Sequence, residues 1–281
     1  MKHILIICIL ILSACNQTKK GIGQIVKTDT VYITKGNQLD ITLNMDSVMD
    51  IAPKGFACFN QPRVFIKYKQ KVNGYSVKVM WLQYGEVGKA LFFLEKGDKR
   101  DYIFTHSWSD AILYDKYFDD GILYSDKTVI ELDYTPKAPN EKYLSEKSPF
   151  FFSDVDFDGE DEFVINLYNN GSRGSNTYEV YEISYGFELK TEAPFTKLEN
   201  GHCEFNPSDK TITITGSAGF SDWVKYTYQS VSYDEMYWNV PKKCEHFVLV
   251  ESYVIDRNKF RKYRRNGDKL ELIEEGFTEV E

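Results

Sequence analysis

Short runs in which apolar and polar residues alternate recur along most of this chain, and turn residues separate them. The segment RVFIKYKQKVNGYSVKVMWLQY places Asn73-Gly74 between two such runs. Asn-Gly tolerates the positive φ at both centre positions that a two-residue hairpin turn needs. KALFFLEKGDKRDYIFTH turns at Gly97 in the same way, and FRKYRRNGDKLELIEE turns at Asn266-Gly267. KTVIELDY, EFVINLY, NTYEVYEIS, KTITITG, WVKYTYQSVS and FVLVESYVI read as further strands. No segment carries a helical period over ten residues. Strands joined by hairpins without intervening helices predict an all-β antiparallel meander, arranged as a propeller, sandwich or barrel. No repeat of fixed length is visible, so identical blades are not implied.

The N-terminus sets a compartment rather than a fold. MKHILIICILILSACN has Lys2 ahead of an apolar run over 4–12. Such a run is far shorter than the roughly 20 residues that span a bilayer. Leu12-Ser13-Ala14-Cys15 resembles the lipobox of bacterial lipoproteins. The resemblance implies that 1–14 is a signal peptide, that Cys15 carries lipid, and that 15–25 is a polar tether. Asn16-Gln17-Thr18-Lys19-Lys20 holds no acid, which points to an outer-membrane lipoprotein facing the periplasm, in contact with membrane through its lipid alone. A formal charge of −8 argues against nucleic acid as a ligand.

Beyond Cys8 and Cys15, the cysteines are Cys58, Cys203 and Cys244. In an oxidising compartment one disulfide plus one buried thiol is the economical arrangement. Cys203 with Cys244 is the expected pair, because both lie in the C-terminal half, although spacing does not establish connectivity. Zinc is not expected, since no C-x2-C or H-x3-H spacing occurs.

The segment FFFSDVDFDGEDEFVINLYNNG, 150–171, interrupts an aromatic run with acids. Counting Asp154 as the first position, carboxylates fall at the first, third, fifth and ninth, with Gly159 at the sixth. A loop curling around a hard cation aims alternate side chains inward, and glycine takes the left-handed turn. This spacing predicts a Ca2+ loop in which Asp154, Asp156, Asp158 and Glu162 bind by side chain and Glu160 by its carbonyl, while Asp161 points away. The alternative is a solvated acidic turn. Clustered carboxylates repel one another, which favours a neighbouring cation.

The block FFSDVDFDGEDEFVINLYNNGSRGSNTYEVYEISYGF, 151–187, resembles the calcium loop of FG-GAP-type repeats. It is more closely similar to a family of periplasmic, calcium-binding, β-propeller-like proteins that includes inhibitors of invertebrate-type lysozyme and immunity lipoproteins. LENGHCEFNPSDKTITI and FRKYRRNGDKLELIEE extend the likeness over about 148–281, leaving 26–135 outside it. The resemblance implies a β-propeller-like fold with one calcium loop and a binding role against a peptidoglycan hydrolase. In such inhibitors a protruding loop with a Ser-Gly-x-x-Tyr pattern enters the hydrolase cleft. Here 169–178 contains Ser and Gly in a different order, and Ser172, Arg173, Asn176 and Tyr178 are the candidate contacts. Arg173 suits a hydrolase carboxylate, and Tyr178 suits an interface anchor.

YTPKAPNEKYLSEKSP, 134–149, marks a soft boundary between an N-terminal β region, 26–135, and the calcium-binding region, 148–281, unless the two form one domain. No catalytic motif is present, so an enzyme is not expected. His106, flanked by Trp108 and Asp110, reads as a strand-end histidine. The aromatic group Trp223, Tyr226, Tyr228, Tyr233, Tyr237 and Trp238 supports an alternative, a glycan- or envelope-binding accessory lipoprotein, although alternate aromatics more often pack across strands.

Overall fold

The computed structural model describes residues 63–84, 87–110, 128–133, 136, 148–168, 176–183, 186–199, 201–217, 222–237 and 240–278. Residues 1–62, and with them the expected signal peptide, Cys15, the expected tether and Cys58, lie outside the described residues. The strands are β1 (Arg63–Tyr68), β2 (Ser76–Tyr84), β3 (Val87–Lys96), β4 (Lys99–Trp108), β5 (Thr128–Leu132), β6 (Phe150–Ser153), β7 (Glu162–Leu167) and β8 (Thr177–Glu182). They continue as β9 (Glu188–Leu189), β10 (Cys203–Asn206), β11 (Thr211–Ser217), β12 (Trp223–Tyr237), β13 (Val240–Asp256), β14 (Lys259–Asn266) and β15 (Lys269–Phe277). A 3-10 turn, Phe195–Lys197, stands between β9 and β10.

The all-β expectation holds among the described residues, and the hairpins turn where the sequence places them. Asn73 and Gly74 both take positive φ, as do Gly97 and Gly267. The strands form two sheets, of nine and six strands, with no closed barrel or ring of blades among the described residues. Pairing is antiparallel throughout except that β5 lies parallel to β1, which a simple meander does not anticipate. Within the nine-stranded sheet the two halves meet at a single pair, Trp108 with Leu167. The sheet therefore behaves as two parts, β1 to β5 and β6 to β9, whose apolar faces share one core.

Two cores form on the opposite faces of β6 and β7. On β6 and β7, Phe150, Phe152, Phe163 and Ile165 point to one core together with Val64, Ile66, Trp81, Phe92 and Ile103. Their neighbours Phe151 and Val164 point the other way, into a second core with Cys203, Ile212, Ile214 and Tyr228. Side chains alternate across a strand, so a strand clothed on both faces reads as a continuous apolar run. This explains FFF at 150–152. The first core is dense in edge-to-face rings, with Phe92 against Trp108, Phe150 and Phe163 at 5.4, 5.6 and 5.7 Å between centroids.

The soft boundary at 134–149 separates no cores, because one cluster holds residues from both sides of it. Hydrogen bonds tie the halves as well. The Trp108 indole donates to the Pro149 carbonyl at 3.1 Å, and the Tyr168 amide donates to the Ser107 carbonyl at 3.1 Å. In the other sheet, β12 and β13 form a long hairpin, and β14 and β15 extend it outward with Leu270, Leu272 and Phe277 exposed.

Phe163 is fully buried in the core that the two parts share and touches Phe92, Phe150, Phe152, Tyr181 and Phe187. Phe163→Ala is expected to destabilise the chain by about 3–5 kcal/mol. Leu272→Ala, at a 48% exposed position, should stay within about 0.5 kcal/mol. Urea unfolding of both variants measures the difference, and equal losses would contradict a core between the layers.

Candidate metal centre

The connection from β6 to β7, 154–161, is built by its own carboxylates. Asp154 Oδ2 accepts the Gly159 amide at 3.1 Å, Asp156 Oδ1 accepts the Asp158 amide at 3.1 Å, and Asp158 Oδ1 accepts the Glu160 amide at 2.7 Å. Glu162 Oε2 accepts the Val155 amide at 2.8 Å and closes the loop on the first residue of β7. Gly159 takes φ +97°, the left-handed turn its position predicts. Phe157 also takes φ +68°, a conformation that bulky residues rarely adopt. Burial of its ring in the second core, 6.1 Å from Phe247, holds it there.

Val155 and Phe157 anchor the loop in the core, and the acids between and beside them are carried inward. Asp156 is 3% exposed and Glu162 is fully buried. Oxygens of Asp154, Asp156 and Glu162 lie within 4.8 Å of one another, and this group could hold a metal ion. Asp154 Oδ1 and Glu162 Oε1 are buried with no hydrogen-bond partner. Buried polar atoms are rarely left so, and these two belong to carboxylates of one group that could hold a metal ion. Without an ion, burial and then the neighbouring Asp156 push Glu162 up to about 9.

Three of the four predicted side-chain ligands are therefore gathered, and one is not. Asp158 is exposed, and its oxygen groups with Asp156 and Glu182 instead. Desolvation and the surrounding acids Asp156, Glu182 and Asp154 raise it to about 6, against the Glu160 amide that lowers it. The Glu160 side chain is exposed, and its amide serves Asp158. Asp161 stands outside the group as expected, accepting the Asn73 side-chain amide at 3.2 Å.

Two residues at the centre have no signal in the loop spacing. Lys190 places Nζ 2.6 Å from Asp156 Oδ2 and 2.8 Å from Glu182 Oε2. Its side chain is 13% exposed. Burial pulls its pKa down, but the hydrogen bonds to Asp156 and Glu182 outweigh it and hold the ammonium above the ordinary lysine range. Glu182 arrives on β8 and Lys190 just after β9, so only strand pairing brings them to the loop.

Other expectations need correction. Tyr178 is 5% exposed and packs in the second core, 6.4 Å from Phe151. It sits on the inner face of β8, which removes it as an interface anchor. Asn176 lies partly buried just before β8, while Ser172 and Arg173 lie outside the described residues. Cys203 is a free, buried thiol that donates to the Glu199 carbonyl at 3.0 Å. Burial pushes that thiol up to about 12. A bond to Cys244 is excluded by the sheet. Cys203 aligns through Ile214 and Tyr226 with Ser252, whereas Cys244 lies roughly 25 Å further along β13, against the ~7 Å limit between disulfide Cα atoms. Trp223 is 36% exposed and meets Tyr253 edge-to-face at 5.9 Å, Tyr228 is buried, and Trp238 lies outside the described residues. His106 is exposed on β4.

No protein-family model matches the chain. No curated protein matches it either. Among solved structures the chain is similar to one described as "Structure of a Xanthomonas Type IV Secretion System related protein". The TM-score is 0.43 at 14% identity, over 75% of this chain and 93% of that one. No helix among the described residues is long and apolar enough to cross a membrane.

The free thiol gives a direct check. Iodoacetamide is expected to modify Cys203 only after denaturation, without prior reduction, as read from peptide masses. A peptide in which Cys203 is joined to Cys244 would contradict the register.

Proposed function

We propose that this chain is a calcium-binding lipoprotein of the bacterial envelope that binds and blocks a cell-wall hydrolase. The observation that carries the calcium part is the pair of unpartnered buried oxygens, Asp154 Oδ1 and Glu162 Oε1, on two carboxylates that group with Asp156. The donor set is oxygen alone, without histidine or thiolate, and hard oxygen donors suit Ca2+ over transition metals. Asp154, Asp156 and Glu162 would hold the ion. Bound there, it supplies charge neutralisation, which lets Glu162 stay ionised and ties the start of β7 to the end of β6. No reaction step is assigned to it.

The hydrolase part rests on the family resemblance of 151–187 and on where the partner segment leaves the fold. Glu162 opens β7 and Leu167 ends it, so the ion and the connection to β8 stand at opposite ends of one strand, roughly 20 Å apart. The ion does not touch the partner. It stiffens the layer from which 169–175 departs, and Arg173 in that segment has the chemistry to pair with catalytic carboxylates of a hydrolase. Successive up-and-down meanders, β1 to β4, β6 to β9 and β10 to β13, are the units a β-propeller-like architecture uses. The glycan-platform alternative draws less support, because Trp223 and Tyr253 meet edge to face at 70° instead of presenting one flat surface.

Two measurements test this reading. Millimolar calcium should raise the unfolding free energy by about 0.4–1.4 kcal/mol if the affinity lies in the extracellular range of 10⁻⁴ to 10⁻³ M. Glu162→Gln and Asp154→Asn should abolish that gain. An unchanged melting temperature with chelator, together with no calcium in native mass spectra, would refute the ion. Separately, the Cys15→Ser chain should slow lysis of a peptidoglycan suspension by invertebrate-type lysozyme or a related hydrolase, and Arg173→Ala should weaken that effect at least about tenfold. If no hydrolase in such a panel is slowed, the inhibitor reading falls while the calcium site stands.

A further inference from the structure

Two carboxylate groups meet at Asp156. Asp154, Asp156 and Glu162 form one, and Asp156, Asp158 and Glu182 form the other. Their surroundings differ. The first keeps two buried oxygens without partners. The second already contains a cation, because the Lys190 ammonium sits between Asp156 Oδ2 and Glu182 Oε2.

We infer that Lys190 is a built-in cation occupying the second group, so that the chain takes one divalent ion where its carboxylates would otherwise take two. This rests on the calcium reading of the first group. An ammonium is a compact point charge with three donors, and at 2.6 and 2.8 Å it meets oxygens at charge-assisted hydrogen-bond distance. Lys190 is also held in place. Its backbone amide donates to the Val180 carbonyl at 2.8 Å, and its Nζ stands 5.4 Å from the centre of the Phe195 ring. Moving to the first group would give up the ion pair with Glu182, which lies outside that group. A divalent ion entering the second group would share Asp156 and Glu182 with an ammonium a few ångströms away, and like charges at that separation in a partly buried site repel strongly.

Asp156 then has a divided task. Its Oδ2 serves Lys190 and its Oδ1 holds the Asp158 amide, while the same carboxylate belongs to the first group. Lys190 thereby fixes the orientation of a carboxylate the ion needs and sets the number of ions bound.

Native mass spectrometry and calorimetry with Ca2+ on the Cys15→Ser chain test the inference. The parent chain should bind one ion, Lys190→Gln and Lys190→Met should bind two, and Lys190→Arg and the control Lys197→Gln should bind one. A Lys190→Gln chain that is unfolded in chelator but folds with two ions in millimolar calcium supports the inference equally. One or no ion in both neutral variants, or failure of both to fold with calcium, overturns it. A parent chain that binds none refutes the calcium reading instead, and neutral variants that then gain an ion would still show Lys190 filling a cation site.

Discussion

Phe163 packs into one core and Val164, one residue on, into the other. That burial of both faces of β7, shared by β6 and β8, is the constraint on which the rest of the chain depends. A strand covered on both sides has no solvated face on which to keep charge. The charged residues between β6 and β7 must therefore be accommodated where the layer ends. There Val155 and Phe157 are drawn into the second core, and the acids interleaved with them are drawn part of the way. The buried carboxylates follow from the packing of their neighbours.

Burying a carboxylate is costly unless it is hydrogen-bonded or paired. The loop uses every available compensation. Backbone amides of Val155, Asp158, Gly159 and Glu160 donate into it, and Lys190 brings one positive charge. These satisfy Asp156 and one oxygen each of Asp154, Asp158 and Glu162. What is left over, Asp154 Oδ1 and Glu162 Oε1, marks the place where compensation inside the chain stops. The group they belong to could hold an external cation. The same logic separates the two carboxylate groups, which look alike in composition and differ in whether the protein itself has filled them.

The carboxylate group stands at the start of β7 and the connection to β8 follows its end, so under the proposed function an ion would act on partner binding only through the rigidity of the layer. Tyr178 belongs to that layer, buried in the second core. The inward turn of Tyr178 is a matter of strand parity: β8 alternates, and Val180, two residues along, shares its core.

The sequence by itself determined the strands, their turns and most of the acidic loop. These depend on local chemistry: alternation with period two, Asn-Gly and Gly at positive φ, and carboxylates spaced to curl back on their own amides. Asp154, Asp156, Glu162 and Gly159 were legible for that reason. Only the tertiary structure decided that β5 pairs parallel with β1, that FFF at 150–152 serves two cores, and that Cys203 stays a thiol. It alone placed Glu182 and Lys190 beside Asp156 and moved Asp158 into their group. The physical reason is common to all of these. Each is a contact between residues far apart in the chain, fixed by which strands pair and which faces are covered, and spacing within one segment carries no record of either.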